Sequence, residues 1–420
     1  MYGGTSLSKK IRIIGYDLNY EYCQISYSGA PDEEPETLYL MDEKEGTELP
    51  LIIAKRTDET EWVTGMEARR IDAMQSGIVV RDLLRGGLAK KRIEDGDGTI
   101  SVVSLLTMFI EQSMQRIYLP EMDDYETYLV FTIPQISEDV ITLLKSIASR
   151  LGFSRKNVFV QDYKESFYDY VIRQQRELWN YEVALFGFEE QTMYAYRLQK
   201  MPFAKSRRNR LFSVEEKNCG GIACRMEDDA KFLEYVRDFF GKSLISSVFL
   251  IGKEFEEDWY AGTLKLLCNG RRVFRGRNLF SKGACYGGFR KCGEIKTDTV
   301  YLDSYKIKSQ VSLRLKVNGK EQWYPLACQG ENWYEINRSI EILVDQATEL
   351  KVRVDTLGEN MPRQESILLE GLFETQRRTI RLHIEAVFLS RNRCRIRIHD
   401  VDFGEIRKAT GYELIYTLQL

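Results

Sequence analysis

The chain has 420 residues, 43% of them hydrophobic and 29% charged, with a formal net charge of -3. That length supplies two or three domains with cores of their own, and the near-neutral balance excludes a dedicated polyanion binder while leaving local patches open. Met1–Lys10 has no apolar core and no run reaches the roughly 18 apolar residues of a membrane helix, so the eight scattered cysteines are expected to be reduced thiols of a cytoplasmic protein. His383 and His399 are the only histidines, which argues against His-based metal or acid–base catalysis.

Taken in chain order, Lys10 to Tyr27 alternates around a central break and predicts a strand, a turn and a returning strand. Asp32 to Pro35 is an acidic, proline-bearing loop, and Leu49–Ala54 and Glu61–Thr64 are expected to be short strands. Ser101 to Tyr118 has helical spacing through Val102, Leu105, Leu106, Phe109, Ile110 and Met114. Thr127–Ile133 is an apolar strand stopped by Pro134, and Ser137 is placed to cap a helix over Glu138–Leu151. A second strand–helix pair follows at Val158–Val160 and about Lys164–Arg176. The hairpin of Val183–Phe188 and Met193–Leu198 repeats the first one about 170 residues later, and a helix over Glu227–Phe240 leads to the strand Val248–Ile251. From about Thr297 helical periodicity disappears. Nine short runs follow, from Val300–Tyr305 to Glu413–Leu418, including Gln310–Val317, Ile340–Val344, Ile367–Phe373, Thr379–Phe388 and Arg393–Asp400, and they predict a separate β-sandwich. The boundary is expected near Gly293–Asp298.

Several stretches, in order, resemble motifs of the actin-like ATPase superfamily, and most closely those of DnaK-type heat-shock chaperones. Ile14-Gly-Tyr-Asp-Leu-Asn is similar to the first phosphate signature, Ile-Gly-Ile-Asp-Leu-Gly-Thr-Thr. Thr64-Gly-Met-Glu-Ala-Arg-Arg resembles a Val-Gly-x-x-Ala-Lys-Arg segment, and Thr132-Ile-Pro with Leu151-Gly-Phe resembles a Val-Pro-Ala stretch and its helix. Val158-Phe-Val-Gln-Asp162 lies where the family has Asn-Glu-Pro, Val248-Phe-Leu-Ile-Gly252-Lys resembles the adenosine motif, and Ser281–Gly287 resembles the closing helix. The resemblance implies a duplicated, ribonuclease-H-like α/β domain over 1–296, with halves of about 1–180 and 181–296, followed by an all-β sandwich over 297–420 similar to a chaperone substrate-binding domain. It also implies vestigial nucleotide-site positions at Asp17, Asp162, Thr192 and Gly252.

The same comparison predicts that the ATPase is lost. In the family the second phosphate turn reads Asp-Leu-Gly-Gly-Gly-Thr, whose glycines let backbone N–H groups close on phosphate. Here Gly187 stands for the aspartate, Glu189, Glu190 and Gln191 stand for the glycines, and Thr192 alone is kept. Asn19, Tyr20 and Glu21 replace Gly-Thr-Thr in the first turn, and about fifty residues stand where the chaperones insert a longer subdomain. The expectation is therefore a cytoplasmic, bacterial, chaperone-like pseudo-ATPase with no catalytic residue, no metal and no cofactor. Its partner is expected to be another protein or an extended peptide, in a groove left open because the chain stops at Leu420 without a helical lid. The alternative is a slow Mg-ATP-dependent ATPase using Asp17 and Asp162, with Arg81 or Arg85 neutralising phosphate, and peptide binding through the β-sandwich.

Three further patterns invite weaker readings. Asp95-Gly-Asp-Gly-Thr-Ile100 looks like part of a calcium loop, but Ile93 and Ser104 fall at the end ligand positions, so a hairpin turn is expected. Cys219 and Cys224 lack the second pair a zinc site needs. Lys205, Arg207, Arg208 and Arg210, and then Arg271, Arg272, Arg275 and Arg277, are basic clusters expected to be solvated loops rather than a nucleic-acid surface.

Overall fold

The computed structural model of the chain describes residues 10–39, 46–96, 98–117, 125–201, 210–372, 379–402, 408–409 and 411–420. Two compact units make up the chain, Met1–Gln199 with Val214–Thr297, and Lys200–Ser213 with Asp298–Leu420. Of the residues singled out from the sequence, Tyr118, Asp97, Lys205, Arg207, Arg208 and Phe373 lie outside the described residues.

The first unit is built twice from one plan. Its first half runs β1 (Lys10–Leu18), β2 (Tyr22–Ser28), β3 (Glu36–Thr37), α1 (Val102–Gln115), β4 (Tyr125–Ile133), α2 (Glu138–Arg150), β5 (Val158–Asp162) and α3 (Tyr163–Ile172). Its second half runs β6 (Glu182–Glu189), β7 (Thr192–Lys200), β8 (Arg210–Cys219), α4 (Asp229–Phe240), β9 (Ile245–Ile251), α5 (Ala261–Leu267), β10 (Arg272–Gly276) and α6 (Leu279–Lys291). The strand orders are β5-β4-β1-β2-β3 and β10-β9-β6-β7-β8, so this five-strand path repeats, and beyond β8 the run expected to open the sandwich at Val300–Tyr305 instead adds the short strand Thr299–Tyr301 in parallel. In both, a hairpin is antiparallel (Asp17 opposite Gln24, Gly187 opposite Tyr194) and the next two strands add in parallel on its far side. Parallel strands require crossovers, and the helices that make them cover the sheet faces.

Local chemistry starts these helices where expected. Ser101 accepts from Ser104 N at 3.1 Å, and Ser137 accepts from Val140 N at 3.2 Å. The stripe Val140, Ile141, Leu144, Ile147 and Ala148 of α2 is buried. Between β3 and α1 the chain inserts a three-stranded sheet (Ile53–Arg56, Val63–Thr64, Gly77–Val80), two short helices and the hairpin Arg92–Glu94 with Thr99–Ser101. At the corresponding place in the second half only residues 220–228 stand between β8 and α4.

The two halves are fastened through α3 and α6. A β-carbon on Gly283 would lie 2.1 Å from the Ser166 carbonyl oxygen, and one on Gly15 would lie 2.1 Å from that of Ser281, so both close approaches demand glycine. Arg290 at the end of α6 pairs with Glu165 at 2.8 Å and with Asp169 at 2.7 Å on α3. Both carboxylates are almost fully buried, so losing the guanidinium would strand two charges.

The second unit places two four-stranded antiparallel sheets around one core. Their strands are β11 (Ser309–Val317), β12 (Lys320–Ala327), β13 (Asn337–Val344), β14 (Glu349–Thr356), β15 (Arg363–Leu368), β16 (Ile380–Ser390), β17 (Arg393–Asp400) and β18 (Glu413–Gln419). The sheet orders are β12-β11-β14-β15 and β13-β16-β17-β18. Alternation decides the core. Val311, Leu313, Val352, Val354, Leu382, Ile384, Ile396 and Ile398 point in, with polar residues between them pointing out.

Three expectations are corrected. The helix expected to reach Arg176 ends at Ile172, and residues Arg176–Trp179 form a separate 3₁₀ turn. The strand expected at Ile367–Phe373 is Arg363–Leu368, because a turn closed by Leu372 N on the Leu369 carbonyl, with Gly371 at φ 78°, ends it early. The basic residues Arg210 and Arg272 open strands rather than loops. No helix among the described residues is long and apolar enough to cross a membrane.

Candidate functional site

Of the residues that the sequence comparison singles out, Asp17 and Gly187 come together in the first unit, beside α3 and α6. Asp17, near the end of β1, is fully buried. Its Oδ1 accepts the Tyr163 hydroxyl at 2.6 Å, and its Oδ2 has no hydrogen-bond partner. The Tyr163 ring lies flat on Phe280, with centroids 3.8 Å apart, so the phenol is held rigidly against the acid. Burial pushes Asp17 up to about 8; the Tyr163 bond opposes the rise, and Glu48 and Glu189 add to it. The rise favours the protonated form of Asp17 near neutral pH.

The turn after β1 satisfies itself. Asn19 Oδ1 accepts from Glu21 N at 2.8 Å and from Tyr22 N at 2.7 Å. This Asx turn uses two backbone donors of the kind a phosphate nest would offer. The second turn does so differently. Glu190 and Gln191 both adopt left-handed conformations, φ 46° and 64°, as a two-residue hairpin requires. Arg85, from the helix Leu83–Leu88, grips the Glu190 carboxylate through two hydrogen bonds, one of 2.6 Å, and lies 3.9 Å over the Tyr20 ring. One arginine thus ties the first turn to the second. Arg81, the other candidate, pairs with Asp72.

Gly187 and Tyr194 are a coupled pair. They face each other in the β6–β7 register, and a β-carbon at 187 would lie 2.5 Å from the Tyr194 hydroxyl. The tyrosine lies across the strand at the position where the resemblance has its aspartate. Tyr22, Tyr163 and Tyr194 are all held well above the ordinary tyrosine value, by burial first and then by neighbouring carboxylates and phenols. Glu189, half-buried with Oε1 unpartnered, is raised to about 7 by burial, then by Glu190 and Glu216, with Arg85 opposing. The place is lined by tyrosines and acids.

The remaining positions have structural employment. Asp162 caps α3, accepting from Glu165 N at 2.8 Å, and Lys164 stands 3.8 Å away. Thr192 is exposed and opens β7 opposite Glu189. Gly252 has φ 114°, and a β-carbon there would lie 2.5 Å from a Glu254 carboxylate oxygen. Asp17 and Gly187 with Tyr194 share one site, and Asp162 is turned to the helix it starts. Tyr163, Tyr194 and the Arg85 grip were not singled out from the sequence in these roles. The facing of Gly187 and Tyr194 was readable from hairpin register, whereas Arg85 and Glu190 are 105 residues apart.

The other patterns resolve simply. Asp95 N bonds the Gly98 carbonyl in a hairpin turn. Cys219 and Cys224 are half-buried thiols, and burial raises both, Cys224 to about 12. Arg271 bonds the Leu266 carbonyl, Arg275 stacks near Tyr260, Arg277 pairs with Glu256 and Arg210 with Asp298. Among the described residues no group of three His, Cys, Asp or Glu is placed to hold a metal ion.

A second feature lies in the two-sheet unit. The end of the β11–β12 hairpin and the connection by which the chain crosses from β13 to β14 in the other sheet enclose an open cavity of about 910 Å³, lined on its apolar side by Leu315, Tyr324, Ile340, Ile342, Leu343 and Ala347. Leu343 is 61% exposed. Among the described residues β13 is the edge of its sheet and pairs with β16 alone, so its other edge has backbone donors and acceptors to offer.

Residues 34–304 match the C-terminal model of a family of unknown function, DUF5716. Residues 306–420 match a domain of unknown function, DUF8552, so the two matches abut close to the division between the units. No curated protein matches the chain. With most of its length inside the first model, the chain belongs to the DUF5716 family.

Proposed function

We propose that the first unit is an actin-like, ribonuclease-H-like ATPase fold whose nucleotide site has been dismantled. The second unit is then a β-sandwich that holds an extended peptide or a partner protein, and the chain works as a nucleotide-independent, chaperone-like binding or scaffolding protein of the cytoplasm. The repeated strand order of the two halves supports the fold reading. The observation that carries the loss of nucleotide binding is the occupation of both turns: Asn19 takes the donors of the first, and the Arg85–Glu190 pair fills the second. A magnesium–triphosphate fits these residues poorly. Two glutamates in the second turn repel phosphate, Tyr194 fills the place opposite Gly187, and a neutral Asp17 sealed under Tyr163 is a weak ligand for a hydrated cation. The slow-ATPase alternative needs all three reversed.

Partner binding is assigned to the cavity between the β11–β12 hairpin end and the β13–β14 connection. An extended segment laid along β13 adds a strand to that edge while its apolar side chains enter the cavity. A thermal melt with and without millimolar Mg-ATP or Mg-ADP tests the first part. No shift is expected, whereas a ligand at 100 times its dissociation constant adds about 2.7 kcal/mol, and a shift abolished by Asp17→Asn would overturn the reading. Peptide-array binding tests the second. Retention is expected to favour extended apolar peptides and to fall in Leu343→Glu; equal retention by that variant would remove the cavity from the proposal.

A further inference from the structure

The outer face of the second sheet of the two-sheet unit carries a charge pattern that the cavity does not use. Along β17, Cys394, Ile396 and Ile398 are buried, so Arg393, Arg395 and Arg397 project from the opposite face, and all three are exposed. Successive members of this ladder stand two residues apart, about 6.8 Å along the strand. Their surroundings differ. Arg397 lies between Glu385 and Ile415 in register and bonds the diagonal Glu413 at 2.5 Å, while Arg381 pairs with Glu341 on the same face. Arg395 lies instead between Val387 and Thr417, and Arg393 lies between Ser390 and Gln419. Neither has a carboxylate partner among the described residues, and Arg391 in the adjoining turn is exposed too. On a chain with net charge -3, this is a local concentration of unneutralised guanidinium.

We propose that this face docks an extended acidic segment of a partner protein, with carboxylates at alternate residues meeting Arg393 and Arg395. The spacing matches, since alternate side chains of an extended strand repeat at the same distance as the ladder. A guanidinium offers a planar fork that a carboxylate fills with two bonds. The neighbours are aliphatic: Leu389 is 41% exposed and Ile415 59% exposed, with Val387 between Asn337 and Arg395 in register. The aromatic rings among the outward residues of the four strands are the imidazoles of His383 and His399, which pack on each other with centroids 5.0 Å apart, and no Tyr, Phe or Trp stands beside Arg393 and Arg395 as a stacking platform for single-stranded nucleic acid.

The test is fluorescence anisotropy on the full chain with a labelled peptide alternating glutamate and valine, its lysine–valine counterpart, and an oligouridine RNA. The glutamate peptide is expected to bind, with affinity falling as salt is raised, and the lysine peptide is not. Arg393→Gln with Arg395→Gln is expected to weaken binding about tenfold, whereas Arg397→Gln, already paired, changes it by less than about threefold. The cavity variant Leu343→Glu, opposite Arg381 at the far end of the same sheet face, is expected to leave it unchanged, which separates the Arg393–Arg395 end from the cavity. No binding of the glutamate peptide at low salt, equal binding by the double variant, or tighter binding of the RNA would each overturn the proposal.

Discussion

Replacing Asp17 by asparagine separates a carboxyl kept for a ligand from an acid that the fold must keep neutral. Burial, partly opposed by the Tyr163 hydrogen bond, raises this group from 3.8 to about 8. The unfolded chain releases its proton near the ordinary value, and the folded chain holds it until about 8. Stability from this group is therefore fully present below the unfolded value and is lost as pH rises toward the folded one, by up to about 1.4 kcal/mol for each pH unit. Between about pH 5 and pH 8 the loss is roughly 4 kcal/mol. Asparagine keeps the shape, and its Oδ1 can accept the same Tyr163 bond, but it does not titrate. Its amide N–H groups take the place of Oδ2, which has no partner, at a pH-independent cost of about 1–3 kcal/mol. The variant is thus expected to be no more stable than the wild type at the acid end and more stable at the alkaline end. Urea denaturation followed through the buried tryptophans Trp62, Trp179 and Trp259 of the first unit measures the difference. Glu189, raised to about 7, titrates in both proteins over the same range, so the difference between them retains only its coupling to Asp17. A wild-type-minus-variant difference that stays flat across this range would mean that Asp17 is ionised in the folded protein, and the metal-binding alternative would return.

Three further substitutions test the interlocks around it. Gly187→Asp, which introduces the aspartate of the resembled motif, is expected to cost roughly 3 kcal/mol or more, because its β-carbon meets Tyr194 at 2.5 Å; adding Tyr194→Ala recovers part of the loss in the same urea assay. A double-mutant cycle over Arg85→Ala and Glu190→Ala is expected to give a coupling of about 0.5–1 kcal/mol that shrinks in high salt, since both side chains are half-exposed; zero coupling at low salt would remove the grip from the argument. Gly283→Ala drives a methyl to 2.1 Å from the Ser166 carbonyl and is expected to lower the melting temperature of the first unit by about 10 °C or abolish its folding, measured by calorimetry.

The hairpins, the helices capped by Ser101 and Ser137, and nearly every strand of the second unit were legible because alternation, 3.6-residue stripes and cap residues are local signals. Strand β8 was not. Its Glu215, Glu216 and Lys217 stand at an edge where polar residues are tolerated, and the basic run before it reads as a loop. The chemistry of the site was half legible. The glycines missing relative to the resembled motif carry the expectation that phosphate is not bound, and Asn19 in a glycine position points to an Asx turn. That Asp17 becomes a neutral acid follows only from the burial that Tyr163 and Phe280 impose, 146 and 263 residues away in the chain. The inward-facing Cys394, Ile396 and Ile398 were visible as alternation, but which outward arginines lack a carboxylate depends on the register with β16 and β18.

What replaces the nucleotide is the sharper question. In a ligand-driven clamp, the bound triphosphate supplies the attraction that brings two halves together, and release restores the open form. Here the attraction is built into the chain. Gly15 and Gly283 bring α6 against β1 and α3, Arg290 fixes two buried carboxylates, and Arg85 joins Tyr20 to Glu190. A ligand shifts an equilibrium only by its differential affinity for the two states, so on the proposed reading a site whose phosphate positions are filled by Asn19 and Glu190 leaves nucleotide no state to favour. The same proposal leaves partner exchange at the second unit to its own contacts alone. Dissociation of a bound apolar peptide is expected to proceed at the same rate with Mg-ATP, with Mg-ADP or with neither, and a stopped-flow chase showing nucleotide-dependent release would refute this account.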